Sequence, residues 1–207
     1  MISGKCMIDI DEIKKYLPKY LSQEATEKLF QDLKDFPENI HKRLYGDVLE
    51  NENDVFQGDG IVDLPVVNLP DEIVRNGKVM ILSNTCDISL DNKRIFFPRI
   101  MYCPILRLSK FIDTLRKRDI PDERISQFVQ VIKKQEVSSI FYLPSGAKLE
   151  EEYIAILENV NNCDVKVVPK DEVGERRLFS LSNYGFYLFL FKLSIHFTRI
   201  REAVERG

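Results

Sequence analysis

The densest group of side chains able to do chemistry is Ser83-Asn84-Thr85-Cys86-Asp87. A thiol at Cys86 could act as a nucleophile, with Asp87 orienting a base. Thiolate chemistry requires a nearby imidazole or ammonium to lower the thiol pKa. The only histidines, His41 and His196, are far from Cys86 along the chain. The plainer reading is a turn in which Asn84, Thr85 and Asp87 satisfy backbone groups and Cys86 is a small core residue. A second group is cationic: Arg107, Lys110, Arg116, Lys117 and Arg118, with Lys133 and Lys134 further on. These side chains could bind phosphates if they converged. The interleaved Asp113, Asp119, Asp122 and Glu123 make them read as a solvated helical face. Arg176-Arg177, near Phe179, is another basic spot. Arg177 could bind RNA phosphate or pair with Glu172 and Glu175.

Other patterns exclude chemistries. Gly58-Asp59-Gly60 lacks the third glycine and the following helix of a phosphate loop, so it reads as a turn. Cys6, Cys86, Cys103 and Cys163 contain no pair at zinc-knuckle or redox-motif spacing, so neither a metal nor another cofactor is expected.

The elements that must position these groups follow from periodicity and breakers. Residues 9–45 read as helical. Asp9 and Glu12 form an Asx variant of a capping box, Pro18 breaks the first helix, and Ser22 caps the next. Leu29, Phe30, Leu33 and Phe36 make one apolar stripe, and Ile40 to Gly46 suggest a short third helix. The acidic run 47–57 reads as a linker. Strands then follow at 61–64, bent by Pro65, and at Lys78 to Leu82, a continuous apolar run suited to burial on both faces. Ile95 to Phe97 and Arg99 to Tyr102 read as strands around Pro98. Residues 106–118 read as one helix, and a second opens at Pro121-Asp122-Glu123. Ser139 to Pro144, a weaker stretch within 152–160, and Val165 to Val168 read as strands. A long helix starting near Ser180 or Ser182 closes the chain.

This pattern predicts an α+β protein: a small antiparallel β-barrel with N-terminal helices, a helical insertion and a C-terminal helix. The helical segment is placed at 1–50 and the barrel at 51–207. The insertion falls at about 106–136 and the last helix at about 180–205. The 207 residues are 44% hydrophobic and 30% charged, which is the composition of a globular chain. Thirty Lys and Arg against 33 Asp and Glu give a formal charge of −3, so only a local basic patch could attract nucleic acid. The apolar run from Gly185 is interrupted at Lys192, short of the roughly 20 residues that span a bilayer, so no membrane partner is expected. The thiols and the absence of a signal-like N-terminus point to the cytoplasm of a bacterial or infected cell.

Three stretches together resemble the PemK/MazF family of small barrels, which includes toxin endoribonucleases. They are Gly58-Asp59-Gly60-Ile61-Val62, the strand Gly77 to Ser83, and the late segment from Glu152 to Val168, continuing through Arg177-Leu178 to Phe197. The motifs Leu82 to Ile88 and Ser180 to Phe186 also resemble a group of bacterial and phage proteins with no assigned activity. The resemblance implies a conflict system of the toxin–antitoxin or phage-defence kind, and a possible homodimer. The family's ribonucleases carry an arginine at the start of the second major strand, where this chain has Gly77-Lys78 with Arg75 upstream. They also carry a Thr or Ser after Pro-Ile, where this chain has Pro104-Ile105-Leu106. RNA cleavage needs a base and a cation. Losing both expected groups implies a non-catalytic module that binds protein or RNA, with Asn84, Thr85, Cys86, Asp87 and Arg177 as binding candidates. The alternative is an endoribonuclease with relocated catalytic groups, for which Arg75, Lys78 and Ser83 are the candidates. A third reading is a cysteine-dependent enzyme centred on Cys86.

Overall fold

The computed structural model describes residues 35–92 and 95–198, together with 24, 27–29 and 31. A one-turn helix α1 (Ile40–Arg43) leads into a two-residue strand β1 (Tyr45–Gly46). A long hairpin of β2 (Gly60–Asn68) and β3 (Asp71–Ile81) follows, then α2 (Thr85–Ile88) and β4 (Arg99–Arg107). Helices α3 (Leu108–Arg116) and α4 (Asp122–Lys133) precede β5 (Ile140–Leu143), β6 (Tyr153–Ile156) and β7 (Asn161–Asp164). Two 3₁₀ turns lead to α5 (Val173–Arg176), β8 (Arg177–Leu181) and α6 (Asn183–Thr198).

The strands form one antiparallel sheet in the order β1-β8-β2-β3-β4-β6-β5, with β7 also on β4. Residues 153–155 of β6 lie opposite 105–107, and β7 lies opposite 99–102. Together β6 and β7 are two halves of one interrupted strand running along β4. The sheet is not closed. Its edges are β1 and β5, and β1 is too short to cover β8 beyond Gly46. The loop after β5 crosses the gap instead: Lys148 N donates to Leu178 O (3.0 Å) and Tyr45 Oη donates to Pro144 O (2.7 Å). The mixed α+β class therefore holds, while the sheet stops short of the closure the strand pattern predicts.

The pleat of β3 explains its continuous apolar run. Val79 and Ile81 enter one core cluster with Ile61, Leu64, Ile100, Tyr102 and Val165. Met80 and Leu82 enter a larger one with Leu44, Phe141, Ile154 and Phe189. Period-two alternation sends neighbours to opposite faces, so a strand between two clusters must be apolar throughout. Helix α6 closes the larger cluster. Ser182 Oγ accepts from Gly185 N (3.1 Å) in its first turn. A Cβ at Gly185 would meet Leu44 O at 2.1 Å, so only glycine lets α6 approach the end of α1 this closely.

Several expected boundaries move. Residues 95 and 96 form a bend, and 97 is irregular; none of the three is in a strand. Val165–Val167 is a 3₁₀ turn, because Asp164 Oδ1 accepts from Lys166 N (2.9 Å) and ends the strand at 164. β4 continues to Arg107, so the helical insertion begins at Leu108. Ser180 and Leu181 belong to β8, and the last helix starts at Asn183. The expected linker 47–57 is gathered onto the domain through contacts described below. The expectations for Asp9, Glu12, Pro18 and Ser22 lie outside the described residues.

Candidate functional site

The Ser83–Asp87 turn is built for structure. Ser83 is buried at the end of the β3 ladder, where its Oγ accepts from Met101 N (2.7 Å). Asn84 caps α2: its Oδ1 accepts from Cys86 N (2.9 Å). Thr85 Oγ1 accepts from Gln57 N (3.0 Å). Cys86 and Asp87 are exposed. The imidazoles pack elsewhere, His41 edge-on to Tyr142 (5.9 Å) and His196 against Phe197 (4.8 Å).

Arg177 is only 4% exposed, so it faces no external phosphate. Its Nε donates to Asp59 Oδ2 (3.1 Å), its Nη1 to the carbonyls of Leu49 (2.7 Å) and Glu52 (2.8 Å), and its Nη2 to that of Asp54. Asp59 also accepts from Ser180 Oγ (2.7 Å) and Phe56 N (3.0 Å). This buried clamp folds the acidic run against the sheet.

Arg75, Lys78 and Ser83 do not converge. Arg75 is exposed and paired with Asp71 (3.5 Å). It lies on the opposite face of β3 from Lys78, and roughly 25 Å along the strand from Ser83 at about 3.3 Å per residue.

Lys78 meets a different set of residues. The β3–β4 ladder ends at Val79 opposite Pro104. Beyond that point Lys78 Nζ donates to Tyr153 Oη (3.0 Å), reaching from β3 to β6. Arg107 pairs with Tyr153 in the β4–β6 register, which brings its charge to bear on the same phenol. Glu151 orients Arg107 through Nε (2.9 Å) and also accepts from Ser109 Oγ (2.9 Å). Burial pushes the Tyr153 phenol up, but the hydrogen bonds and charges of Lys78 and Arg107 outweigh it and leave the net shift downward. Burial likewise opposes ionisation of Glu152, yet hydrogen bonds from Lys133 (2.6 Å) and Tyr142 hold its carboxyl below the usual range.

A second feature lies at the other end of β4. Ile95 is fully exposed, and Phe96 and Phe97 are 71% and 66% exposed. Lys166 Nζ sits 3.8 Å from the centroid of the Phe97 ring, within the range of a cation–π contact. The Asp164 cap that turns the chain at 165 positions this lysine. Arg99 is exposed alongside, its Nε donating to Asn162 Oδ1 (2.5 Å). Lys93 and Arg94 precede the triplet in the sequence. The run Lys93-Arg94-Ile95-Phe96-Phe97-Pro98-Arg99 carries the signal for this loop, although its β-favouring residues predict a strand. Exposed rings flanked by cations form a surface on which nucleic-acid bases can stack.

Among the described residues, no three His, Cys, Asp or Glu side chains group as a metal site. Nor is any described helix long and apolar enough to cross a membrane. No family model matches the sequence, and no curated protein matches it significantly.

Proposed function

We propose that the chain is a non-catalytic RNA-binding module, built on a PemK/MazF-like curled sheet and serving a cytoplasmic bacterial or phage conflict system. The observation that carries this reading is the loop in which Phe96 and Phe97 stand exposed beside Lys166 and Arg99. Stacking on a ring is worth about 1–3 kcal/mol per base, and nearby cations bring the phosphates to it. A chain of formal charge −3 needs such a local patch to hold RNA. Those cations favour RNA over a purely apolar protein partner. The barrel likeness is supported by the bridged gap between β8 and the loop after β5, and by the closing helix after Arg177-Leu178. The catalytic alternative loses support because Arg75, Lys78 and Ser83 point into three different surroundings.

The test is fluorescence anisotropy with labelled single-stranded RNA at fixed salt, run beside gels of the same RNA. Wild-type protein is expected to bind without cutting. Phe96→Ala/Phe97→Ala should weaken binding at least tenfold with an unchanged melting temperature. Binding unaffected by the double substitution would overturn the reading, as would cleavage products that disappear in Lys78→Ala.

A further inference from the structure

We infer that Lys78, Arg107 and Tyr153 form a receptor for a terminal phosphomonoester, separate from the aromatic loop and independent of the RNA reading. Three polar side chains from three different strands are brought together: Lys78 Nζ lies 3.0 Å from the Tyr153 phenol oxygen, and Arg107 stands at the position facing Tyr153 in the β4–β6 register. Their charges are only partly matched. Glu151 engages Arg107 through Nε, and its second oxygen is taken by Ser109. Among the described residues Lys78 has no carboxylate partner; it bonds the phenol and lies 5.0 Å from the centroid of the same ring. An ammonium has three N–H donors and a guanidinium five, so both cations keep donors for an incoming oxyanion.

Charge and oxygen number select the ligand. Tyr153 is 4% exposed, Lys78 is half-buried and Arg107 is exposed, so the two cations are the reachable part of the group. A terminal phosphate offers three non-bridging oxygens to those cations. An internal phosphodiester offers only two and carries a sugar on each side. A terminal phosphate at neutral pH is also largely dianionic, which suits two converging cations better than the single charge of a diester. The downward shift of the Tyr153 phenol reports the same field, since the place that favours a phenolate favours any anionic oxygen.

This chemistry is shared by a phosphorylated nucleic-acid end and by a small phosphorylated metabolite, and the experiment separates them. Isothermal titration at pH 7.5 would compare a short RNA carrying a 5′-phosphate, the same RNA with hydroxyl ends, ribose 5-phosphate and inorganic phosphate. The phosphorylated RNA, ribose 5-phosphate, or both are expected to bind at least tenfold more tightly than the hydroxyl-ended RNA. Preference for the RNA would identify a nucleic-acid end, and equal or better binding of ribose 5-phosphate would identify a small metabolite. Lys78→Met and Arg107→Gln should each abolish the phosphate preference. The near-isosteric Tyr153→Phe should reduce it about threefold with an unchanged melting temperature. Equal binding of phosphorylated and hydroxyl-ended RNA, with no binding of ribose 5-phosphate or phosphate, would overturn the inference. So would a phosphate preference that survives in Lys78→Met. Because Phe96 and Phe97 are intact throughout, phosphate binding can hold while RNA stacking fails, or the reverse.

Discussion

Arg177 commits all three guanidinium nitrogens to partners inside the protein: the Asp59 carboxylate and the carbonyls of Leu49, Glu52 and Asp54. Removing one partner of a buried ion pair leaves an uncompensated charge. Arg177→Met is therefore expected to destabilise the fold by about 3–5 kcal/mol, read as a fall in the urea midpoint. A variant as stable as wild type would show that the clamp does not hold the acidic run. The contrast with the Ser83–Asp87 turn shows what is legible in a sequence at this scale. Asn84 caps a backbone N–H two residues away, so its role can be read from residue type and spacing. Lys78 finds Tyr153 across 75 positions, and Arg177 finds Asp59 across 118. No local pattern marks either pairing. Neighbouring residues offer Arg177 an RNA phosphate or the acids Glu172 and Glu175, and nothing nearby along the chain points to Asp59 or singles out Tyr153.

At the scale of elements, α6 carries a lysine where its apolar surroundings would favour a hydrocarbon. Lys192 is buried and donates to Gln135 O, and the side-chain amide of Gln135 in turn bridges the backbone of Tyr142 on the edge strand β5 (2.8 and 3.0 Å). Burial lowers the Lys192 pKa to about 8, against the opposing pull of Glu136. An unfolded lysine titrates near 10.4, so between pH 8 and about 10.4 the unfolded chain binds more protons. Lys192 therefore adds stability as pH rises through that window, and the change fades below about pH 7, where both states are protonated. Cys103 acts in the opposite sense. Burial pushes its thiol up to about 12, so stability falls once the unfolded thiol ionises near pH 8.5. The difference between wild type and Lys192→Met isolates the lysine. It should shift in favour of wild type by about 1.5 kcal/mol between pH 8 and 9.5, measured by urea unfolding. A pH-independent difference would contradict this. Helix α6 itself was legible, since its apolar residues exceed what any exposed helix carries. The 95–97 segment was not. Ile and Phe favour strands, but Pro98 removes a backbone donor and the chain turns into β4 only at Arg99.

Across the whole molecule, one curled antiparallel sheet separates two apolar clusters and presents two cationic features at different places along β4. Both depend on where pairing stops: Lys78 reaches Tyr153 where β3 parts from β4, and the aromatic triplet stands out where β4 has yet to begin. The mixed α+β class, the two insertion helices and the doubly buried strand follow from hydrophobic period and breakers. The open edge does not, because closure depends on a two-residue strand that periodicity cannot resolve. The central claim is that RNA lies on the loop carrying Phe96 and Phe97. The most direct measurement is ultraviolet cross-linking of bound single-stranded RNA, followed by trypsin digestion and mass spectrometry. The account predicts nucleotide adducts on the tryptic peptide from Ile95 to Arg99. Adducts confined to other peptides, such as the tip of the β2–β3 hairpin, would contradict it.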